Sequence, residues 1–427
     1  MSLILHLSDL HLGSPSASQL DFTDKFGLEE VAGETKVQHL ERTLRALGDT
    51  LRAEGRRLDA IVVSGDLTNA NEQDGYDAFA ALLDELGDRR PAAERVVVVP
   101  GNHDADWSVQ PGDPKKFRRF LDTVRSSHRS PLLYGVDYDD SSLDRGTGRR
   151  KKAVPVLELD DVAIVALSSA DFCGVEEGRT NTSWGAVLDS YLAEERASTN
   201  HAQRETGEET WKQAGEDLRR LRVQDMARVH PRQLDALQNR LSGCSLAHVA
   251  DEDVRVRIAV LHHPIGPVSD HEEVKAFETL TNLAMVRSFL FDSGFHVVLH
   301  GHKHESYLGW EWLLPPGDQL DAIPWRTLVI GSPGDFQPGQ TVCRLIETCP
   351  TGDRPVAGAP RLRLIDVPGV RATEAVSLNF AEPAISLAQP FVRSADIGSP
   401  WVVRARTADA AYQQLRDLPI STATPAL

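Results

Sequence analysis

Short apolar runs alternate with longer stretches in which leucines recur every three or four residues, and this alternation predicts the architecture. Leu3–Leu7 is apolar throughout and reads as a strand. Between Glu34 and Glu54, Leu40, Leu44, Leu47 and Leu51 fall at helical spacing with charges between them. Asp59–Asp66 (DAIVVSGD) is the next strand, and a second helix carries Phe79, Leu82, Leu83 and Leu86 on one face. Four consecutive valines, Val96–Val99, then form a strand buried on both faces, because β-branched side chains suit a covered pleated sheet. Strand, helix, strand, helix, strand is the rhythm of a parallel or mixed sheet flanked by helices.

Further along, Lys115–Arg125 predicts a basic helix, and Val154–Leu159 with Val162–Ser168 a hairpin turning at Asp160-Asp161. Residues 176–229 are poor in β-branched residues and rich in Glu, Arg, Gln and Ala, which predicts an inserted helical excursion, or a partly mobile one, rather than a second hydrophobic core. A helix at Pro231–Leu241, a strand at Val256–Leu261, and a long helix from His271 to Asp292 follow. The apolar run Phe295–His300 comes next, then strands at Thr327–Ile330, Val342–Ile346 and Leu362–Val367. Beyond Pro368 the periodicity fades. The expected organisation is one domain over 1–367, including the insertion, and a C-terminal extension over 368–427 that serves as an arm or partner-binding segment.

Composition narrows the class. A chain of 427 residues with 41% hydrophobic and 26% charged residues can build a large soluble core. The net charge of −17 argues against the whole chain acting as a nucleic-acid sponge. Four cysteines without a CxxC pair argue against a disulfide framework or a thiolate zinc site and suit a reducing compartment. No basic leader precedes the first strand, and no run approaches the ~18 apolar residues of a membrane span, so a cytoplasmic protein is expected.

The chemistry lies where the strands stop. Five apolar strands each run into residues able to bind a cation: Asp9-x-His11, Gly65-Asp66, Gly101-Asn102-His103-Asp104, His262-His263 and Gly301-His302-x-His304. Alternate residues of an extended segment point the same way, so an Asp-x-His or His-x-His at a strand end can aim both side chains at one place. Glycines before Asp66, Asn102 and His302 allow tight turns. Any one of these pairs is common in proteins without function; all five, in this order, are not. Carboxylates, imidazoles and a carboxamide without thiolates suit Mn, Fe or Zn in a catalytic rather than a structural setting.

The ordered pattern DxH, GD, GNH(D/E), H, GHxH resembles the calcineurin-like metallophosphoesterase superfamily, over roughly residues 3–310. The resemblance implies an α/β fold: a four-layer α-β-β-α sandwich of two packed mixed sheets with two divalent metal ions at the strand ends, manganese first and iron or zinc as alternatives. It places Asp9, His11 and His304 on one metal and Asn102, His262 and His302 on the other, with Asp66 bridging. His262 is preferred over His263 as the ligand because it directly follows the strand. The resemblance also makes Asp66 and His103 the catalytic residues: the carboxylate bridges the ions, and the imidazole assists departure of the leaving oxygen. Asp104 is expected to orient His103 or to be a simple turn residue.

The expected substrate is a phosphate ester, nucleotide-like and most simply a diester, because SGDLTN and the HHP after the fourth motif resemble cyclic-nucleotide phosphodiesterases. An alternative is a nuclease of the Mre11/SbcD type, supported by Lys115, Lys116, Arg118, Arg119, Arg125 and Arg129 and by the run 149–152. A third reading is a phosphoesterase subunit that binds a protein partner through the insertion or the C-terminal extension. His6, His296 and His300 beside the motifs, and His39, His128, His201, His230, His248 and His271 elsewhere, are expected to be packing or surface residues.

Overall fold

The structure is a computed structural model that describes residues 1–13, 36–138, 153–176, 223–242, 255–268, 280–313, 325–332, 340–349, 360–370 and 374–387. It also describes two short paired strands at Val392–Ser394 and Val402–Arg404. The interior of the insertion, 177–222, and most of the chain after Leu387 lie outside the described residues, as do His201, His248 and His271.

In chain order the elements are β1 (Leu3–Leu7), α1 (Lys36–Ala53), β2 (Ala60–Val63), α2 (Gln73–Asp84), β3 (Val96–Val98) and α3 (Arg118–Thr123). Next come β4 (Val156–Glu158), β5 (Val162–Ala166), β6 (Phe172–Glu176), β7 (Val223–Met226), α4 (Pro231–Ser242), β8 (Val256–Val260) and α5 (Leu283–Asp292). The series closes with β9 (Val297–His300), β10 (Tyr307–Leu313), β11 (Trp325–Gly331), β12 (Thr341–Cys349), β13 (Arg361–Pro368) and β14 (Ile385–Ser386). Two six-stranded sheets result, ordered β14-β13-β12-β1-β2-β3 and β10-β11-β9-β8-β5-β4. Both are mixed: β1, β2 and β3 run parallel, as do β5, β8, β9 and β11, while the remaining pairs are antiparallel.

The side-chain alternation of the strands builds the layers. In β1, Leu3, Leu5 and Leu7 enter a core with the leucines of α1, whereas Ile4 enters a second core between the sheets. The valine strand divides likewise, Val96 and Val98 toward the helices and Val97 and Val99 toward the other sheet. In β5, Val162 and Ile164 face the inter-sheet layer, and Ala163 and Val165 face a third core shared with α4 and α5. This is the four-layer α-β-β-α sandwich, with the middle layer aliphatic on both sides.

Several local expectations change. The basic helix is helical only over Arg118–Thr123, because Lys116 before it is buried and donates to the carbonyls of Asp106 and Val109 (3.2 and 3.0 Å). The neighbouring cations are also used inside the fold. Arg125 is buried against Asp137 (2.9 Å), Arg129 donates to the carbonyls of Glu94 and Val156, and Arg119 donates to that of Asn71. The cationic face that favoured a nuclease is therefore largely consumed by folding; residues 149–152 lie outside the described part. The described portion of the long helix begins only at Leu283. The end of the predicted helical excursion is a strand: β7 pairs antiparallel with β6, so the two ends of the insertion meet. The strand β10, YLGWEWL, has no counterpart in the sequence reading; among the described residues it pairs only with β11, and its Leu308 and Trp310 are solvent-exposed. Past Pro368, Val370 and Val376 are buried in the α1 core, and Arg42 and Thr50 of α1 donate to their carbonyls (2.9 Å each). Among the described residues no helix is long and apolar enough to cross a membrane, and Cys173, Cys343 and Cys349 are free thiols.

Beyond the end of β5, Asp171 is buried and accepts from Ser168 Oγ (3.0 Å) and Tyr138 OH (3.1 Å). Burial pushes its carboxyl up from 3.8 to about 7. The folded chain then holds a proton that the unfolded chain has lost over that interval, so stability is greatest at the acidic end and falls as pH rises toward 7. Asp171→Asn is expected to flatten this decline, read from urea midpoints across about pH 4 to 8. A slope identical to the parent's would show that Asp171 ionises normally.

Candidate metal centre

The loops after β1, β2 and β3 of the first sheet and after β8 and β9 of the second open at the same edge of the sandwich. They carry, in order, Asp9 and His11; Asp66; Asn102 and His103; His262 and His263; and His302 and His304. Backbone bonds zip the first two loops together: Asp9 N to Gly65 O (3.0 Å), His11 N to Asp66 O (2.9 Å) and Leu12 N to Leu67 O (2.8 Å). The second sheet joins through His302 N, which donates to Asp9 Oδ1 (2.9 Å).

All seven expected ligands come together. Ligand atoms of Asp9, His11 and His304 lie within 4.8 Å of one another, as do those of Asp9, Asp66 and His262, and those of His262, His263 and His302. His11 Nε2 stands 3.3 Å from His304 Nε2, and His262 Nε2 stands 2.9 Å from Asn102 Oδ1. Asp66 Oδ2 lies between the two groups, 3.3 Å from His262 Nε2 and 3.7 Å from His11 Nε2. Two imidazole nitrogens facing each other, with carboxylate oxygens alongside and most of the set buried, form a donor set that fits a pair of divalent cations.

The convergence does not come from extended alternation. Asp9, His11, Asp66, His302 and His304 all have left-handed backbones, with φ of 54°, 45°, 52°, 71° and 55°. Each loop curls sharply after its strand and throws the side chain inward, a conformation uncommon outside glycine. Close packing makes glycine obligatory at Gly101, where a Cβ would collide with the Asp66 carboxylate, and at Gly65, where it would strike the His262 ring.

The charges are coupled. Burial opposes charge on both Asp66 and His262, but their mutual attraction prevails: Asp66 is held well below the usual carboxylate range, with His103 and His11 assisting, and His262 is pushed up to about 10. Burial, with His263 and His262 nearby, pushes His302 well below its ordinary value, so its ring is neutral.

Main-chain carbonyls orient the rings. His262 Nδ1 donates to Ser64 O (2.8 Å), which turns Nε2 toward Asn102 and Asp66. His103 Nδ1 donates to Asn69 O (2.5 Å), which leaves Nε2 as its other nitrogen; ligand atoms of His103, His11 and Asp66 lie within 4.8 Å. Asp104, expected to orient His103, does otherwise. Its buried carboxylate accepts from the backbone N–H of Gly101 (3.0 Å), Leu67 (3.1 Å) and Thr68 (3.1 Å), locking the loop after β2 to the loop after β3. His263 bonds Ser169 Oγ through Nδ1 (2.8 Å) and through its backbone N–H (3.1 Å). The roles of Ser64 and Asn69 left no mark in the sequence, because a backbone carbonyl has no residue signature. Among the other histidines, His6, His39, His230, His296 and His300 are buried packing residues.

A buried cluster of carboxylates and imidazoles at the strand ends of an α-β-β-α sandwich is a candidate metal centre. Residues 2–168 match the family model described as calcineurin-like phosphoesterase. The matched stretch supplies Asp9, His11, Asp66, Asn102 and His103; the second-sheet histidines that complete the centre lie beyond it. Among solved structures, the chain is similar to a purple acid phosphatase from yellow lupin (Lupinus luteus) seeds, at 12% identity and TM-score 0.42, over 90% of this chain and 53% of that one. It is also similar to the sulfate thiohydrolase SoxB of Thermus thermophilus, at 11% identity and TM-score 0.38, over 88% of this chain and 58% of that one. The chain thus spans a little over half the length of these two proteins.

Gly101→Ala is expected to displace the Asp66 carboxylate and so reduce retained metal, measured by elemental analysis of manganese-loaded protein after desalting. Wild-type metal content would show that the loop tolerates the methyl group. Asp104→Asn presents an amide where three N–H donors need an acceptor, and is expected to cost ~1–3 kcal/mol of stability in denaturant unfolding. An unchanged midpoint would remove the carboxylate's locking role.

Proposed function

We propose that this chain is a dinuclear-metal phosphodiesterase acting on a small, nucleotide-like phosphate ester inside the cell. The observation that carries the reading is the position of Asp66 Oδ2 between His262 Nε2 (3.3 Å) and His11 Nε2 (3.7 Å), as a carboxylate shared by two donor groups requires. Asp9, His11 and His304 would hold one ion, Asn102, His262 and His302 the other, and Asp66 both, with manganese the expected metal. When bound, the ions supply charge neutralisation for the phosphate and lower the pKa of attacking water. The remaining work falls to the chain's own side chains. Asn102 adds a neutral oxygen, which limits negative charge beside an anionic substrate. His103 carries its Nδ1 proton toward Asn69 O, so when the ring is neutral Nε2 has no proton. It therefore acts on the leaving oxygen as an imidazolium, giving up the Nε2 proton as the P–O bond breaks.

Diester specificity rests on the resemblance of the SGDLTN and HHP segments to cyclic-nucleotide phosphodiesterases. We also read residues 1–367 as the catalytic domain and 368–427 as an extension, whose segment 374–387 packs back on it. The free thiols suit a reducing cytoplasm.

The test is a manganese-loaded screen across a generic diester, a generic monoester, cyclic nucleotides, and single- and double-stranded nucleic acids. Diester or cyclic-nucleotide turnover that varies little with salt is expected. Cleavage of nucleic acid that falls steeply with salt would favour a nuclease, and monoester turnover alone would overturn the diester assignment. His103→Ala is expected to keep two metals yet lose at least about a hundredfold in turnover; near-normal rates in a metal-replete variant would remove that role.

A further inference from the structure

The seven donors come from two different sheets, so the centre holds its shape only if the loop after β9 stays in place against the loop after β1. Besides the bond from His302 N to the Asp9 carboxylate, a buried side chain ties the two sheets together next to these loops. Arg344 lies on β12, opposite His6 of β1 and Asp366 of β13. Its Nε donates to Asp366 Oδ1 (2.7 Å) within the first sheet. Its two terminal nitrogens cross to the second sheet: Nη1 donates to Gly331 O (3.0 Å) and Tyr307 O (3.2 Å), and Nη2 contacts Ser306 Oγ. Gly331 pairs with both Tyr307 and His300, so the guanidinium grips the ends of β10 and β11 beside the end of β9. Ser306 and Tyr307 follow the Gly301–His304 loop after the single residue Glu305.

We propose that Arg344 is a positioning residue: it fixes the His302–His304 loop across the gap between the sheets so that His304 meets His11 and His302 meets Asp9. The proposal rests on the two-metal reading above. A planar fork of donors suits the task, since it reaches acceptors on both sheets at once, whereas a lysine ammonium offers one flexible point. The carbonyls it holds belong to paired strand ends, which are rigid, so the grip passes to the adjacent loop. Without it, the aliphatic layer and the His302–Asp9 and His262–Ser64 bonds still join the sheets, but the ends of β10 and β11 lose their tie to β12.

A second cross-sheet bond, remote from the centre, provides the control. At the other end of β12, Thr348 Oγ1 donates to Asp161 Oδ2 (2.6 Å) on the second sheet's side. The experiment measures Mn2+ binding to the metal-stripped full-length chain by isothermal titration calorimetry for wild type, Arg344→Met, Arg344→Lys and Thr348→Val, with unfolding midpoints alongside. Wild type is expected to bind two ions. Both Arg344 variants are expected to weaken one of the sites at least tenfold, while Thr348→Val keeps wild-type affinity despite its own loss of stability. Equal affinity in Arg344→Met and wild type, or equal weakening in Thr348→Val, would overturn the role of Arg344. Fewer than two ions on wild type would instead overturn the two-metal reading itself. Should both Arg344 variants fail to fold, Ser306→Ala removes one acceptor from the same grip, and wild-type binding in that variant counts against the proposal.

Discussion

An aliphatic layer between two sheets holds together atoms that would otherwise stay apart. Ile4, Val62, Val97, Ile164, Val260, Leu299, Ile330 and Ile346 meet there without a polar group among them. At its edge two carboxylates and several imidazole nitrogens stand within a few ångströms of one another, desolvated and in part mutually repelling. Burial of the aliphatic side chains, at roughly 25 cal/mol per Å2 of apolar surface, supplies the free energy that pins the two sets of loops face to face. The donors therefore keep their arrangement through the packing behind them together with attractions such as that of Asp66 and His262.

The strands were legible because their chemistry is repetitive. Runs of valine, isoleucine and leucine marked β1, β2, β3, β8 and β9, and each ended in a polar residue that has no business in a core, which is why the donor-bearing loops could be found. β10 escaped because its alternation of tyrosine, tryptophan and glutamate on a half-exposed edge satisfies neither an apolar run nor a clean period of two. The basic cluster around residues 115–129 was misleading for a related reason: composition records charge but not direction, and Arg125 and Lys116 turn inward to Asp137 and to backbone carbonyls. The left-handed turns were also hidden. Aspartate and histidine tolerate such backbones better than most residues, but nothing in Asp-x-His distinguishes a curled loop from an extended one.

Around the candidate ligands, a second tier of contacts is built mostly from main chain. Ser64 and Asn69 offer carbonyls to His262 and His103, and the Gly101, Leu67 and Thr68 amides converge on Asp104. Such contacts keep their chemistry when the side chains that carry them change. Ring orientation in this centre therefore depends on the path of the backbone, and the path depends on a few glycines and on one buried carboxylate. Arg344 extends the same principle across the sheets, since what it grips on the far side is largely carbonyl oxygen.

The left-handed backbones at five of the seven donors set evolution and engineering against each other. Each is a conformation that stores of order 1–3 kcal/mol in a non-glycine residue, so glycine at any of them would relax the chain while discarding a donor. A laboratory selection that rewards heat tolerance alone would drift toward such replacements and return a sturdier protein stripped of these donors. Any scheme to harden this scaffold should exclude Asp9, His11, Asp66, His302 and His304 from its library and seek its gains elsewhere in the fold.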